Sequence, residues 1–330
     1  MLMNKKNEIP ELFFERLVKM TGFSVATEIK KTFVERPTTF RVNTIKGNRT
    51  QVLESLRSVG FKVDIVSWLP EAFILRNKTK RNLTETDLYK EGKIYIQSLA
   101  SMVSPLVLDP QSGEKILDLT AAPGSKTSQI AAMMKCQGEL MANDNNKIRF
   151  FKLKHNMELL GVSQADWKFT LRMEHGAQLA GEFPAYFDKI LLDAPCSAEA
   201  RFVDDEPKTY GYWSEHKIKE MAFKQRTLLL SAWNALKPGG ILVYSTCTFA
   251  PEENELQIAR LLERMPDAKL LPVELPGLKK ISPLVKWKEK LLPKELTQCY
   301  RILPTKEIEG FFIAKIIKQK DPERDQFADK

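Results

Sequence analysis

LDLTAAPGSKTSQIAAMM, residues 117–134, decides the fold. It runs from an apolar strand through small residues and Gly124 into a helix, which lets backbone N–H groups approach a ligand at the helix N-terminus. It is not a phosphate-binding P-loop, because that loop needs glycine directly before its lysine and Ser125 stands before Lys126. Nor does it spell GxGxxG. The next candidate strand, ELMAND (139–144), ends in Asp144. A carboxylate at that strand tip can accept hydrogen bonds from ribose hydroxyls. An isolated aspartate there could instead cap the following helix, but the upstream loop favours the ribose role.

Outward from this stretch, strands and helices alternate, which signals an α/β fold with an open, mostly parallel, doubly wound sheet. The patterns predict strands at 115–121, 139–144, 166–173, 188–194, 240–248 and 310–317. They predict helices at 126–135, 147–160, 215–236 and 252–264. Before Tyr95 the pattern differs. Helical spacing covers 11–34 with a break at Thr21 and Gly22, and then strand-like alternation at 39–46, 61–68 and 72–77 encloses a helix at 50–59. This suggests a small α+β N-terminal domain over 1–93 containing a β-α-β unit. A larger domain follows over 94–318, and the remaining residues, 319–330, form a charged tail.

The chain has 330 residues, 43% hydrophobic and 28% charged, with no apolar run long enough to span a bilayer and no secretory-signal pattern at its start. None of its four cysteines forms a CxxC pair, which argues against a zinc site or a disulfide framework and for a reducing cytoplasm. The net charge of +9 is uneven: residues 1–100 carry 18 Lys/Arg against 11 Asp/Glu. A basic segment on a near-neutral body suggests a footprint for a polyanion.

Two cysteines stand at two strand ends. DKILLDAPCSA (188–198) places Asp193, Pro195 and Cys196 just past an apolar strand, and GILVYSTCT (240–248) does the same for Cys247. In this topology ligands bind at the carboxyl ends of the strands, so both thiols face one crevice. One buried cysteine is commonly an inert small hydrophobe; two at neighbouring tips, with an aspartate between them and the glycine loop, are better explained by chemistry. Carbon 5 of cytosine is a poor nucleophile. A thiolate adding to carbon 6 makes it enamine-like, so that it can attack an electrophilic methyl group, and a carboxylic acid near ring nitrogen 3 stabilises the developing charge. A free thiol is only a few per cent ionised at pH 7, so the site must lower its pKa or supply a base. His155, His175 and His216 are not obviously placed to do so.

These residues resemble the Nop/Sun (Fmu-type) family of RNA cytosine-C5 methyltransferases, from TFRVN at 39 to GFFIAK at 310, through AAPGSKT, DAPCS and YSTCT with its following EENE. The resemblance implies a Rossmann-like class I methyltransferase fold with S-adenosylmethionine as cofactor. It implies that Thr120, Ala121, Ala122, Pro123, Gly124, Ser125, Lys126 and Asp144 hold the cofactor, and that Asp193 contacts the target base beside the cofactor methyl. Cys247 becomes the nucleophile, Cys196 the group that helps release product, and the basic N-terminal unit an RNA-binding module. His175, before Gly176, stands where the family has an aspartate against the adenine. After DAPCS, Ala198, Ala200, Asp204 and Asp205 replace the usual glycines and basic residues.

The motif spelling leans towards bacterial 16S ribosomal RNA members, without their C-terminal extension, so ribosomal RNA is favoured over transfer RNA. The expected protein is a cytoplasmic monomer without metal or membrane partner. Two other readings remain. One is a catalytically impaired RNA-binding or ribosome-assembly factor. The other is a DNA cytosine methyltransferase attacking through Cys196, which leaves Cys247 and the basic unit unexplained.

Overall fold

The computed structural model describes residues 8–320; the expected tail beyond 320 lies outside the described residues. Helices α1 (Glu11–Thr21) and α2 (Phe23–Lys30) come first. Strand β1 (Thr39–Val42), helix α3 (Arg49–Ser58), strands β2 (Val63–Ile65) and β3 (Ala72–Leu75), the short helices α4 (Lys80–Thr84) and α5 (Asp87–Lys90), and strand β4 (Ile94–Ile96) follow. The strands form one antiparallel sheet in the order β2-β3-β1-β4. The expected β-α-β unit is present in split form: β1 and β2, joined through α3, run parallel with β3 inserted between them and antiparallel to both. Phe40 and Phe73 stack at 5.5 Å in its core, against Leu56 and Phe61.

The larger sheet begins after helix α6 (Leu99–Leu108). Its elements are β5 (Lys115–Asp118), α7 (Ser125–Met133), β6 (Glu139–Asn143), α8 (Lys147–Leu159), β7 (Lys168–Arg172), α9 (Gly176–Gly181), β8 (Phe187–Asp193), α10 (Glu215–Ala235), β9 (Leu236–Thr246) and α11 (Glu255–Arg264). Short strands β10 (Ala268–Leu271), β11 (Lys280–Ile281), β12 (Lys286–Trp287), β13 (Lys290–Leu291) and β14 (Tyr300–Ile302) precede β15 (Phe311–Lys318). The sheet order is β11-β14-β15-β9-β8-β5-β6-β7, with β10 on β15. β5 to β9 are parallel, and β15 runs antiparallel beside β9. This is the doubly wound α/β architecture expected, with an added antiparallel edge.

Alternation along each strand feeds two cores. Ile116 and Leu140 face Met102, Ile130, Leu153 and Met157, whereas Leu117 and Leu192 face Leu229, Trp233 and Ile258. Helix α6 escaped the sequence reading because nine of its ten residues are buried, so it shows no apolar period. The expected helix at 252–264 begins only at Glu255, after a turn at Pro251–Asn254.

The N-terminal sheet is fastened to the larger domain beside the glycine loop. Arg41 gives hydrogen bonds to Gln97 at 2.9 Å and to Ser128, and Asn43 donates to the carbonyls of Gly92 and Leu160. Arg41 is 2% exposed, so the polyanion footprint cannot include it. Helices α1 and α2 pack elsewhere. Phe13 meets Phe202 at 5.1 Å and Trp213 at 5.7 Å, in the segment between β8 and α10, and Phe33 meets Phe249. Arg16 bridges Glu215 and Glu252 at 2.6 and 2.7 Å.

Candidate active site

The strand order changes direction between β5 and β8, which in this topology opens a crevice at the carboxyl ends. A cavity of about 880 Å³ lies there, lined by the tips of β5, β6, β8 and β9. Of the residues singled out from sequence, Thr120, Ala121, Ala122, Pro123, Ser125, Lys126, Asp144, His175, Asp193, Cys196 and Cys247 all line it. Gly124 does not. Its φ is +101°, and a Cβ there would stand 2.6 Å from Met157 Cε on α8, so the glycine serves the turn and the packing of α8 rather than the cavity wall.

At the β5 and β6 side the wall carries carboxylates. Asp144 is 4% exposed; its Oδ1 accepts from the Asn146 N–H at 3.0 Å, and its Oδ2 lies 3.1 Å from the Arg149 guanidinium. The cap of α8 is Asn146, whose side chain accepts from the Arg149 N–H, so Asp144 is not the N-cap. Asp118, the last residue of β5, was missed. Its Oδ2 accepts from the Thr127 hydroxyl at 2.7 Å, and its buried Oδ1 has no partner among the described residues. Burial pushes its pKa up to about 7, against the hydrogen bond from Thr127. The signal was a carboxylate closing an otherwise apolar strand.

At the β8 and β9 side, Asp193 is held from both directions. Lys126 Nζ lies 2.7 Å from Oδ2, and the Ser245 hydroxyl donates to Oδ1 at 2.9 Å. Lys126 also donates to Ser101, and Ser104 to Ser245, so α6 supports the site from behind. Cys196 Sγ and Cys247 Sγ are 3.3 Å apart. The hydrogen bond from Cys196 lowers the Cys247 pKa to about 7 against the opposing effect of burial, with help from the charge of Arg201. The same contact, and burial, push Cys196 well up. Arg201 lines the cavity as well, and among the described residues its guanidinium makes no hydrogen bond or ion pair. A single cation in an irregular loop gave no sequence signal. Cys136 and Cys299 lie outside this cavity, and burial pushes both up.

Residues 105–317 match the model of the 16S rRNA methyltransferase RsmB/F family, and residues 9–99 match the N-terminal domain of 16S rRNA methyltransferase RsmF. The chain belongs to the RsmB/F methyltransferase family. It is 39% identical, over 84% of its length and 87% of the relative's, to a tRNA (cytosine(49)-C(5))-methyltransferase of Pyrococcus abyssi. It is 37% identical to the ribosomal RNA small subunit methyltransferase F of Vibrio campbellii, covering 94% of this chain but only 63% of that enzyme. Among solved structures, a methyltransferase homolog from Pyrococcus horikoshii superposes with a TM-score of 0.79 at 34% identity, covering 94% of this chain and 95% of that one. NSun6 from Pyrococcus horikoshii, solved with SFG, gives 0.79 at 25% identity, covering 96% of this chain and all of that one. The Nop/Sun resemblance read from the motifs is the same family.

RsmB/F methyltransferases take S-adenosylmethionine, and the cavity fits it. The cofactor is cationic at sulfur and amine, and Asp118, Asp144 and Asp193 face the space from three strands. The unpartnered Asp118 Oδ1 needs a donor, which the cofactor would bring. Asp144 lines the cavity at the end of β6, and His175, at the N-cap of α9, lines it further along.

Proposed function

We propose that this protein methylates carbon 5 of cytosine in RNA through a covalent adduct on Cys247. The observation that carries the reading is the contact of the two thiols at 3.3 Å beside Asp193 in the cofactor cavity. S-adenosylmethionine supplies the electrophilic methyl group. Cys247, the more acidic thiol, adds to carbon 6 and loads electron density onto carbon 5. Asp193, fixed by Lys126 and Ser245, holds the pyrimidine edge. Cys196 is kept protonated by its hydrogen bond to Cys247 and by burial. Once Cys247 has become a neutral thioether, that hydrogen bond and the neighbouring charge are gone, and Cys196 can lose its proton to solvent. Its thiolate then takes the proton from carbon 5, the carbon 5–carbon 6 double bond re-forms, and Cys247 leaves as thiolate.

RNA is favoured by the names of the relatives and by the basic N-terminal part, where Lys78, Lys80 and Arg81 are exposed. We take residues 8–96, through β4, as its binding module. Small-subunit ribosomal RNA is the first substrate to try, because both matching models describe 16S enzymes. Transfer RNA is the second reading, because the chain spans 87% of the transfer RNA enzyme. Radiolabelled methyl transfer to purified 16S RNA, transfer RNA and DNA tests the proposal. Label at cytosine carbon 5 in either RNA is expected, and label in DNA alone would overturn it.

A further inference from the structure

Behind the cysteines lies a clasp that the mechanism does not use. Ser197 follows Cys196, and its N–H donates at 3.0 Å to Glu253, from the turn after Cys247; its hydroxyl meets the same carboxyl. Thr248 follows Cys247, and its hydroxyl lies 2.9 Å from Glu199, from the loop after Cys196. The Ser197 and Thr248 hydroxyls touch at 2.7 Å. Each cysteine's neighbour is thus held by a carboxyl from the other cysteine's segment, and Glu199, Glu253 and Ser197 are 2%, 0% and 0% exposed.

Counting hydrogens fixes the ionisation. The chain Glu253–Ser197–Thr248–Glu199 contains three oxygen–oxygen contacts but only two hydroxyl hydrogens. A contact without a hydrogen would set lone pair against lone pair in a buried site, so one carboxyl must carry the third. Burial pushes Glu199 up, but it already accepts from the Trp213 indole at 2.7 Å, the Thr248 hydroxyl and the Phe249 N–H at 3.0 Å. These donors and the charge of Arg16 act against that rise and leave it the acceptor of the pair. Glu253 accepts on Oε2 from Ser197 and from Gln225 at 2.8 Å, which leaves Oε1 as the donor to the Ser197 hydroxyl.

We propose that Glu253 is a neutral acid at pH 7 and that, with ionised Glu199, it is a positioning residue that sets the approach of Cys196 to Cys247. Burial and the neighbouring Glu199 push Glu253 up to about 8, in agreement with the count. The titratable groups around it are Glu199, Cys196 and Tyr244, and among the described residues no Lys or Arg is hydrogen-bonded to it. Rising pH first ionises Cys247 near 7 and then strips Glu253 near 8, removing the third hydrogen and adding a buried charge beside the thiols. Activity therefore rises and then falls with pH.

Glu253→Gln carries a permanent donor where the acid has one, so it should keep most of the activity and lose the alkaline fall. Glu253→Ala should lower kcat about 100-fold, the scale of a misplacement near 1 Å, with unchanged cofactor affinity. A Glu253→Gln protein that melts like wild type but is as slow as Glu253→Ala would overturn the proposal. These kinetic measurements rest on the proposed function; a second measurement does not. The infrared difference between wild type and Glu253→Gln, without RNA, should show a protonated carboxyl band at pH 7 that disappears above pH 8. Its absence at pH 7 overturns the neutral acid even if methyl transfer is robust.

Discussion

The two sides of the crevice share one sheet edge but are built differently. The cofactor side is local: β5, the glycine loop, α7 and β6 lie within about thirty residues, and backbone groups and small side chains form most of the wall. The cysteine side is assembled from distant segments. Phe13 and Arg16 of α1, Glu199 and Trp213 of the loop after β8, and Glu253 before α11 converge behind Cys196 and Cys247. A wall made of consecutive residues stands with its own strand and helix, whereas one pinned by remote side chains can be loosened by changes far from the chemistry. The two sides should therefore fail separately.

The largest separation is expected from α1. Phe13 is 2% exposed and touches Phe33, Phe202 and Trp213. Phe13→Ala should cost about 3–5 kcal/mol in denaturant unfolding. The folded fraction should lose methyl transfer while binding cofactor as wild type; a matching loss of cofactor affinity would break the comparison. On the other side, Asp144→Ala should weaken cofactor binding by about 1.5–3 kcal/mol, the range for hydrogen bonds to a charged group. It should leave the pH dependence of Cys247 alkylation unchanged, and calorimetric titration with unaltered affinity would remove Asp144 from the site. The smallest effect concerns the backbone. Ala198, at φ +56°, holds a left-handed conformation that glycine adopts without cost. Ala198→Gly should stabilise by about 1 kcal/mol in thermal unfolding, and a loss of stability would show that the methyl group packs usefully.

The same difference explains what the sequence made legible. The strand–loop–helix at 117–134, Asp144, and the cysteines at two strand tips are short local patterns, and all but Gly124 of the residues read from them line the cavity. Helix α6 was hidden by burial on every side, and strands of two to four residues such as β11 and β14 are too short for alternation to register. Arg41 reads as surface charge but is consumed in the joint between the two sheets. The clasp of Glu199 and Glu253 joins residues some fifty apart, a contact that no local period encodes.

The central claim is that the two touching thiols do different jobs, Cys247 attacking and Cys196 releasing. It is tested by a denaturing gel of Cys247→Ala and Cys196→Ala, each incubated with S-adenosylmethionine and cellular RNA, beside an active wild type. Protein covalently joined to RNA should accumulate in Cys196→Ala and be missing from Cys247→Ala. A retarded band in Cys247→Ala but not in Cys196→Ala would reverse the roles, and no band in either would contradict the release role of Cys196.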